Sequence, residues 1–381
     1  MATRRSPTPS RRPRTEPRRG AAPRGEATPG VADWLRWITA LPGVPGHEHH
    51  AAAEVARAFR PLADRVERDR MGNVLAWVDG RAPAPRPRAL LAAHMDRIGF
   101  IVRGIEKGGF LRVSEMGGFD PRTLPGREVL VHSTPPMVAV FGTRPPHLQK
   151  KGESEKMIPL EALYLDTGRS EREVRRRVPV GTMVTLRQRP LDLLGGRMAG
   201  PGMDDRSGIV VMLRAIELLA RERPAWDVVA VATVEEEFGI RSLGAHTASE
   251  RLRPELGIAI DVSHGDMPGT VEGETVPLGS GPALAIGANI HPAILEGLRR
   301  SARALASPYR IEPCPTSSGT DAMDIQIAAG GIPTAVIGVP CRYMHTVIET
   351  IEPRDVERCA QVLAHYLSHL PADWRATVRL K

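Results

Sequence analysis

Four short, almost wholly apolar runs do most to limit the folds open to this chain. They cover residues 89–93, 229–234, 258–260 and 335–339. Runs of this length without polar alternation are typical of strands that are buried on both faces of an α/β sheet. Helical spacing of apolar residues returns between and after them, over residues 207–219 and 356–370. The pattern therefore predicts an α/β domain.

Imidazole and carboxylate side chains follow every one of these runs: His94, the triplet Glu235, Glu236 and Glu237, Asp261, and His345. Two more carboxylates, Asp204 and Asp205, open the predicted helix that follows Gly202 and Met203. In an open α/β sheet, the carboxyl ends of the strands form one crevice. Five separate segments of the chain are therefore expected to bring these side chains to one place.

Each of these residues also has a plainer interpretation when taken alone. An isolated histidine is usually a surface or packing residue, and an aspartate at a helix start is usually an N-cap. Three adjacent glutamates directly after a buried strand, however, repel one another unless cations or solvent intervene. The coincidence of several such strand ends favours a metal site.

Two histidines and three carboxylates suit Zn²⁺, Co²⁺ or Mn²⁺ better than Ca²⁺, which prefers oxygen ligands alone. An aspartate that bridges two ions, with one histidine and one further carboxylate for each ion, is the ligand set of a two-metal hydrolase. A carboxylate left free of the metals would then act as the general base.

The chain divides into regions that differ in their predicted secondary structure. Between residues 100 and 190, short β-like runs alternate with Gly and Pro, and helical periodicity is clear only over residues 171–177. We therefore predict a catalytic α/β domain at residues 31–99 and 191–381, interrupted by an inserted β-rich domain at residues 100–190. Further helices are expected over residues 32–40 and 48–59.

Charge is concentrated at one end of the chain. The formal net charge is +8, and residues 1–30 hold eight Arg and two Glu, which is +6 of that total. This stretch also holds six prolines and almost no large apolar residues, so we predict a disordered tail. The remainder is close to neutral, which makes nucleic acid an unlikely partner. No apolar stretch is long enough for a membrane helix, and three scattered cysteines fit a reducing cytoplasm.

Several motifs, in this order, resemble the dinuclear-metal aminopeptidases: the family of glutamyl aminopeptidases, deblocking aminopeptidases and tetrahedral TET peptidases, some of whose members carry the label endoglucanase. They are PGVPGHE at 42–48, AHMDRIGF at 93–100, GGFDP at 117–121, MDDRSG at 203–208, EEFGIR at 236–241, GTDA at 319–322 and RYMHT at 342–346. The resemblance extends from about residue 41 to 356. It implies a mixed sheet flanked by helices, of the zinc-exopeptidase type, with an inserted β-rich dimerisation domain.

The resemblance also implies the roles of individual residues. One metal ion would be held by His94, Asp204 and Asp261. The other would be held by Asp204, Glu237 and His345, so that Asp204 bridges the two ions, zinc or cobalt. Glu236 would be the general base, and Asp96 would orient the imidazole of His94. The expected reaction is removal of N-terminal residues from short peptides.

The chain departs from the family pattern at one internal position near these residues. The family commonly has Glu where this chain has Arg97, directly after Asp96. The triplet of glutamates also leaves a choice of register, and we place the functional pair next to Phe238 and Gly239, which makes Glu235 the extra residue. Arg97 and Arg342 make a preference for acidic N-terminal residues one possibility.

Related activities were weighed against this one. A carboxypeptidase or deacylase of the related dimetal group places its extra domain between the last two ligands, whereas the largest gap here, 110 residues, separates His94 from Asp204. A glycosidase would not require two histidines at strand ends. A non-catalytic scaffold would not need all five ligands and a base. The resemblance further implies a homo-oligomer built from dimers, with a twelve-subunit tetrahedral shell as the larger assembly.

Overall fold

The computed structural model describes residues 29–148, 157–239, 241–271 and 273–374. The predicted disordered tail therefore lies outside the described residues, apart from Pro29 and Gly30. Within the described part, the helices are α1 (Val31–Thr39), α2 (His49–Phe59), α3 (Glu171–Arg177), α4 (Met203–Leu219), α5 (Leu243–Leu252), α6 (Pro292–Ala304), α7 (Ala322–Ile327) and α8 (Pro353–Ser368). Short 3₁₀ turns lie at Pro121–Thr123, Pro146–Leu148, Leu160–Ala162 and Ala328–Gly330.

Two sheets contain the strands of this part of the chain. In sequence order the strands are β1 (Arg65–Arg68), β2 (Val74–Val78), β3 (Arg88–His94), β4 (Gly99–Ile105), β5 (Leu111–Met116), β6 (Glu128–Val131), β7 (Met137–Gly142), β8 (Tyr164–Asp166), β9 (Met183–Leu186), β10 (Leu191–Asp192), β11 (Met198–Gly200), β12 (Asp227–Thr233), β13 (Leu256–His264), β14 (Ala283–Gly287), β15 (Arg310–Cys314), β16 (Thr334–Arg342) and β17 (Glu349–Ile351).

The larger sheet is mixed, and its centre is parallel. Its strand order is β1-β2-β12-β3-β13-β16-β17-β11-β10, and β14 pairs with both β15 and β16. Strands β12, β3, β13 and β16 run parallel to one another, whereas the flanking strands pair antiparallel with them. Because these four strands point the same way, their carboxyl ends lie along one edge. The predicted mixed α/β architecture is confirmed.

Residue choice explains why the central strands are so deeply buried. Strands β2, β3, β12 and β13 are built mainly from Val, Ile, Leu and Ala, and almost all of their residues are buried. Helix α4 packs against β3 and β13 and against α1 and α8, while α5 and α7 pack on each other and on β12 and β13. A sheet covered by helices in this way needs continuous apolar strands rather than alternating ones.

The smaller sheet is a closed barrel with the strand order β4-β5-β8-β7-β6-β9. It extends from Gly99 to Leu186 and overlaps the stretch for which the sequence predicts a β-rich insertion. Inside the barrel, the Phe100 ring stacks on Phe119 with 4.5 Å between centroids and meets Phe141 edge-on at 5.2 Å. The barrel thus has an apolar core of its own. Its role in dimerisation, and the exact domain limits, remain predictions.

The predicted helix at 207–219 begins earlier than the spacing indicated. Helix α4 starts at Met203, but Asp204 (φ −80°, ψ 114°) and Asp205 (φ −110°, ψ 38°) do not have helical backbone angles. These two aspartates therefore stand in a bend at the entrance to the helix rather than within its regular turns. None of the helices in the described ranges is long and apolar enough to cross a membrane.

Leu91 tests how much the packed core of the central sheet contributes to stability. It lies in β3 three residues before His94 and is fully buried. We expect Leu91→Ala to lower the free energy of unfolding by about 2–5 kcal/mol, because it leaves a cavity in a packed layer. Chemical denaturation measures the change. Leu194→Ala is the matched control, since Leu194 is fully exposed, and it should change stability little. Equal losses in both variants would contradict this account of the core.

Candidate metal centre and active-site cavity

The carboxyl edge of the parallel strands brings the predicted side chains together. His94 is the last residue of β3, and Asp261 lies near the end of β13. Glu236 and Glu237 lie in the turn after β12, His345 follows β16, and Asp204 stands at the entrance to α4. Six of the seven predicted residues, all except Asp96, line one cavity of about 810 Å³.

The carboxylate of Asp204 lies between two imidazoles. Its Oδ1 atom is 3.2 Å from Nε2 of His94, and its Oδ2 atom is 3.4 Å from Nε2 of His345. The same nitrogen of His345 is 3.5 Å from Oε1 of Glu237. A carboxylate whose two oxygens face two different histidines is well placed to bridge two cations.

Two groups of buried side chains could each hold a cation, and they share His94. One consists of His94, Asp204 and Glu237, and the other of His94, Asp205 and Asp261. Within each group the ligand atoms lie within 4.8 Å of one another. Asp205 was not among the predicted ligands. Its Oδ2 atom is buried and has no hydrogen-bond partner, while Oδ1 accepts from the Gly208 N–H at 2.9 Å. A buried, unpartnered carboxylate oxygen beside other carboxylates fits a site that receives a cation.

Asp96 holds the turn that carries the two glutamates. Its Oδ1 accepts the backbone N–H of Glu236 at 3.2 Å and its Oδ2 accepts that of Glu237 at 2.9 Å. The imidazole of His94 meets the backbone carbonyl of Asp96 through Nδ1 at 3.0 Å, whereas the Asp96 carboxylate is 3.7 Å from that nitrogen. The carbonyl therefore fixes the ring, and the carboxylate fixes the turn.

Unfavourable backbone angles occur on both sides of the centre. Glu235 has φ 58° and His345 has φ 60°, a left-handed conformation that costs non-glycine residues about 1–2 kcal/mol each. The first is held in place because the Glu235 N–H donates to Glu48 at 3.0 Å and the preceding Val234 N–H donates to Asn73 at 3.1 Å. Strain of this kind is common at functional sites, where the surrounding structure fixes the geometry.

Burial and mutual repulsion dominate the electrostatics of the centre. Burial, followed by the charge of Asp204, raises the pKa of Glu237 to about 7, and burial raises the pKa of Asp261 and of Glu236. Burial alone would raise the pKa of Asp204 as well, but the hydrogen bonds from His345 and His94 outweigh burial and lower this pKa. The hydrogen bond to Asp204 raises the pKa of His345 to about 9. Such a set holds surplus protons that a cation would replace.

The cavity around this centre has walls from both sheets. Glu115, Met116 and Gly117 come from the end of the barrel strand β5, while Glu312 and Cys314 come from β15. His264, Gly319 and Thr320 also line it. Asp321 lies behind the wall and accepts a hydrogen bond from Thr233 at 2.8 Å.

Two other histidines and the two arginines considered for an acidic preference lie outside the centre. His365 and His369 stack on each other at 4.1 Å on helix α8. Arg342 pairs with Asp266 at 2.7 Å. Neither Arg342 nor Arg97 is among the described residues that line the main cavity, so the structure gives no support for the acidic preference that was built on them.

The sequence assigns no role to three buried carboxylates that surround the ligands. Asp205 is expected in the same crevice as Asp204, but only Asp204 is predicted as a ligand. Glu349 accepts the Asp204 N–H at 3.2 Å, and burial raises its pKa to about 8. Glu48 accepts the Glu235 N–H. Nothing in the spacing of Glu48 or Glu349 indicates these contacts, which depend on the tertiary fold.

A mixed α/β sheet with histidines and carboxylates gathered at its strand ends defines a class of hydrolytic enzymes. The model of the M42 glutamyl aminopeptidase family matches residues 72–362. A lysyl aminopeptidase of Pyrococcus furiosus is 35% identical over 353 residues, which is 90% of this chain and 99% of that protein.

Solved structures agree with the sequence comparison. An aminopeptidase of the archaeon Desulfurococcus kamchatkensis is 30% identical, with a TM-score of 0.84, over 92% of this chain and 99% of that one. The TET1 peptidase of Pyrococcus horikoshii, which can assemble into a tetrahedron or a large octahedral shell, is 27% identical with a TM-score of 0.78 over 90% and 100%. The chain belongs to the M42 glutamyl aminopeptidase family and is a hydrolase that acts on peptide bonds.

The protonation of the centre can be tested by metal binding. Below pH 9 His345 carries a surplus proton, and below about pH 7 Glu237 does too, so a cation must displace them. We expect Zn²⁺ affinity to rise from pH 6 to pH 9 and binding at pH 7 to release about one proton or more. Calorimetry in buffers of different ionisation enthalpy measures this release. Affinity that is independent of pH, with no proton release, would refute the assignment.

Proposed function

We propose that this protein is a metal-dependent aminopeptidase that removes N-terminal residues from short peptides. The carboxylate of Asp204 carries the proposal, because its two oxygens face His94 and His345 while Glu237 completes the group. Family membership supports the peptidase activity, and the arrangement of the centre supports the dependence on metal.

The residues present fit two divalent cations per subunit, zinc or cobalt by the mix of imidazole and carboxylate ligands. His94, Asp204 and Asp261 would hold one ion, and Asp204, Glu237 and His345 the other. Asp205, whose Oδ2 is unpartnered, lies next to the first group. When bound, the ions would activate the attacking water and stabilise the negative charge that develops on the scissile carbonyl oxygen.

Glu236 is the proposed general base. Its Oε2 atom is 3.9 Å from Nε2 of His94, and its side chain lines the cavity. The carboxylate accepts a proton from the attacking water and passes it to the leaving amine. Asp96 acts as a positioning residue, since its carboxylate holds the backbone N–H groups of Glu236 and Glu237 and its carbonyl holds the ring of His94.

Exopeptidase action follows from the charge of the cavity. A free N-terminal amine is a cation at neutral pH, and the carboxylates Glu115, Glu312 and Asp324 line the walls beside the ligands. A blocked N-terminus lacks that charge and would lose the attraction. The centre therefore favours peptides with a free amino terminus over acylated ones.

Assembly of the chain is proposed on two grounds. The TET1 peptidase of Pyrococcus horikoshii assembles into large shells, and this chain shares its fold over 90% of its length. On the barrel strand β7, Val138 and Val140 point outward and are 39% and 42% exposed. Exposed apolar side chains that group on one face of a strand can form part of an interaction surface. We propose a homo-oligomer built from barrel-mediated dimers, located in the cytoplasm.

Glu236→Gln tests the mechanism. Loss of the base should lower kcat on Leu-p-nitroanilide by about 10²–10⁴-fold, while metal content, measured by elemental analysis, stays at the parent level. EDTA should abolish the parent's activity, and Zn²⁺ or Co²⁺ should restore it. Glu235→Gln is the matched control, because this neighbouring carboxylate does not line the cavity, and it should retain most activity.

The outcomes separate the rival functions. Cleavage of acetylated peptides in preference to free ones would favour a deacylase. Activity that survives both EDTA and Glu236→Gln would overturn the metal-dependent mechanism. An absence of hydrolysis on any peptide, despite bound metal, would favour a scaffold.

The preferred N-terminal residue is indicated by Glu312. On β13, Asp261 and Ser263 are two residues apart and so lie on the same face, about 7 Å apart along the strand. The hydroxyl of Ser263 donates to Oε2 of Glu312 at 2.7 Å. The carboxylate of Glu312 therefore lies at about the length of one long side chain from Asp261, a proposed metal ligand, in the wall of the same cavity. We propose that it binds a cationic N-terminal side chain, as the name of the lysyl relative suggests.

Substitution of Glu312 by Gln keeps the hydrogen bond from Ser263 and removes the charge. We expect the ratio of kcat/KM for Lys-p-nitroanilide to that for Leu-p-nitroanilide to fall about tenfold or more, because a charge-assisted contact is lost. Glu115→Gln, on the barrel side of the cavity, is the control and should leave the ratio unchanged. An unchanged ratio in Glu312→Gln would remove this specificity proposal and leave the aminopeptidase proposal intact.

A further inference from the structure

Arg97 is a buried guanidinium with few partners. It is only 6% exposed, and it immediately follows Asp96. An arginine side chain carries five N–H donors. Here Nη1 makes one long hydrogen bond, 3.5 Å to the carbonyl of Thr39, and Nε has no partner. Burial lowers the pKa of Arg97 to about 10.

A second buried arginine lies beside it. Arg206 is 1% exposed, and its guanidinium donates to the carbonyls of Met95 and Ile38 at 3.0 Å each and also to that of Leu41. The two aliphatic stems approach each other at Gly202: a Cβ built there would be 3.0 Å from Cδ of Arg97 and 3.6 Å from Cδ of Arg206. Across the residues that the structure describes, no carboxylate lies within 4.0 Å of either guanidinium.

The two charges are therefore not balanced in the same way. Arg206 is surrounded by backbone carbonyls that accept its hydrogen bonds, whereas Arg97 makes one long hydrogen bond through Nη1 and its Nε has no partner. Removing a charge from water without a compensating partner is costly. A second buried cation nearby adds to the cost, and it lowers the pKa of Arg206 further, after burial. Glu349 offsets part of this cost, since its charge raises the pKa of Arg97 against the effect of burial, but among the described residues no carboxylate forms an ion pair with this guanidinium. Arg97 is therefore open to an additional anion.

A cavity of about 180 Å³ opens against Arg97, between the end of helix α1 and the barrel. Its α/β wall includes Thr39 and its barrel wall includes residues of β6 and β9. The residues with polar side chains that line it are Thr39, Arg97, His132, Thr185, Arg187, Gln188 and Arg189, and no carboxylate belongs to its described wall. Of these, Arg187 also pairs with Glu128 at 2.5 Å, and His132 lies 2.9 Å from the hydroxyl of Thr185.

We propose that this cavity is a binding site for a small oxyanion, of the phosphate or carboxylate class, with Arg97 as its central ligand. A planar guanidinium binds two oxygens of such an anion side by side. The hydroxyl and amide groups of Thr185 and Gln188 add neutral partners, and Arg189 lies at the exposed side. Because one wall comes from the end of helix α1 and the other from the barrel, the bound anion joins the barrel to the α/β domain.

Thermal unfolding of the metal-loaded protein tests the proposal. Inorganic phosphate should raise the Tm saturably, by about 2–5 °C at a concentration far above its Kd, relative to chloride at equal ionic strength. Arg97→Met keeps the buried stem and removes the charge, so the part of the shift that depends on the cavity should disappear. Phosphate that binds at the metal centre would still raise the Tm of this variant. The difference in the Tm shift between parent and variant therefore isolates binding in the small cavity. Acetate and sulfate titrations distinguish a carboxylate ligand from a tetrahedral one.

Two further variants keep the test decisive. Arg189→Gln removes an exposed charge from the wall without disturbing the core, and it should weaken phosphate binding about three- to tenfold in calorimetry. Arg60→Gln, an exposed arginine at the end of α2, is the matched control and should have no effect. The proposal is overturned if Arg97→Met shows the same phosphate shift as the parent. It is also overturned if none of the three oxyanions gives a saturable shift.

Discussion

The position of Asp204 is the constraint on which the rest of the centre depends. Its two carboxylate oxygens meet His94 and His345, which come from the ends of different strands. For this to occur, the chain must leave its regular path at the entrance to α4, and the backbone of Asp204 is indeed non-helical there. Glu349 receives the N–H group that this bend exposes. An aspartate in a normal N-cap would keep its carboxylate for its own helix and could not face both rings.

Carboxylates that are not ligands hold the ligands in place. Asp96 and Glu48 accept backbone N–H groups of the turn that contains Glu235, Glu236 and Glu237. These contacts offset the strain of the left-handed Glu235 and fix the direction of the next two side chains. These carboxylates also concentrate negative charge. Burial, followed by the charge of Asp96, raises the pKa of Glu48 to about 7. The same support that positions the turn therefore increases the demand of the centre for cations.

Much of the fold and of the centre could be predicted because both follow from a local pattern. Buried strands are continuous apolar runs, and parallel strands end at one edge, so the residue after each run identifies the site. Strand β15 could not be found in this way, because its residues are mostly exposed and it lacks alternation. Helix α6 carries the usual signals of a helix, with Pro292 at its start and Ile294, Leu295 and Leu298 on one face. The place of Glu312 beside Ser263 depends on the pairing of β15 with β14 and of β14 with β16, which no spacing encodes.

The peptide from His94 to Arg97 separates two cavities of opposite charge. His94 faces the acidic main cavity, and Asp96 holds its turn, while the side chain of Arg97 lies in the wall of the small basic cavity. Glu349 interacts electrostatically with both sides, since it raises the pKa of Arg97 and its own pKa is raised by burial and by Asp204. Glu349 also accepts the N–H of Asp204. One buried carboxylate therefore interacts both with a proposed ligand of the metal centre and with the charge that lines the small cavity.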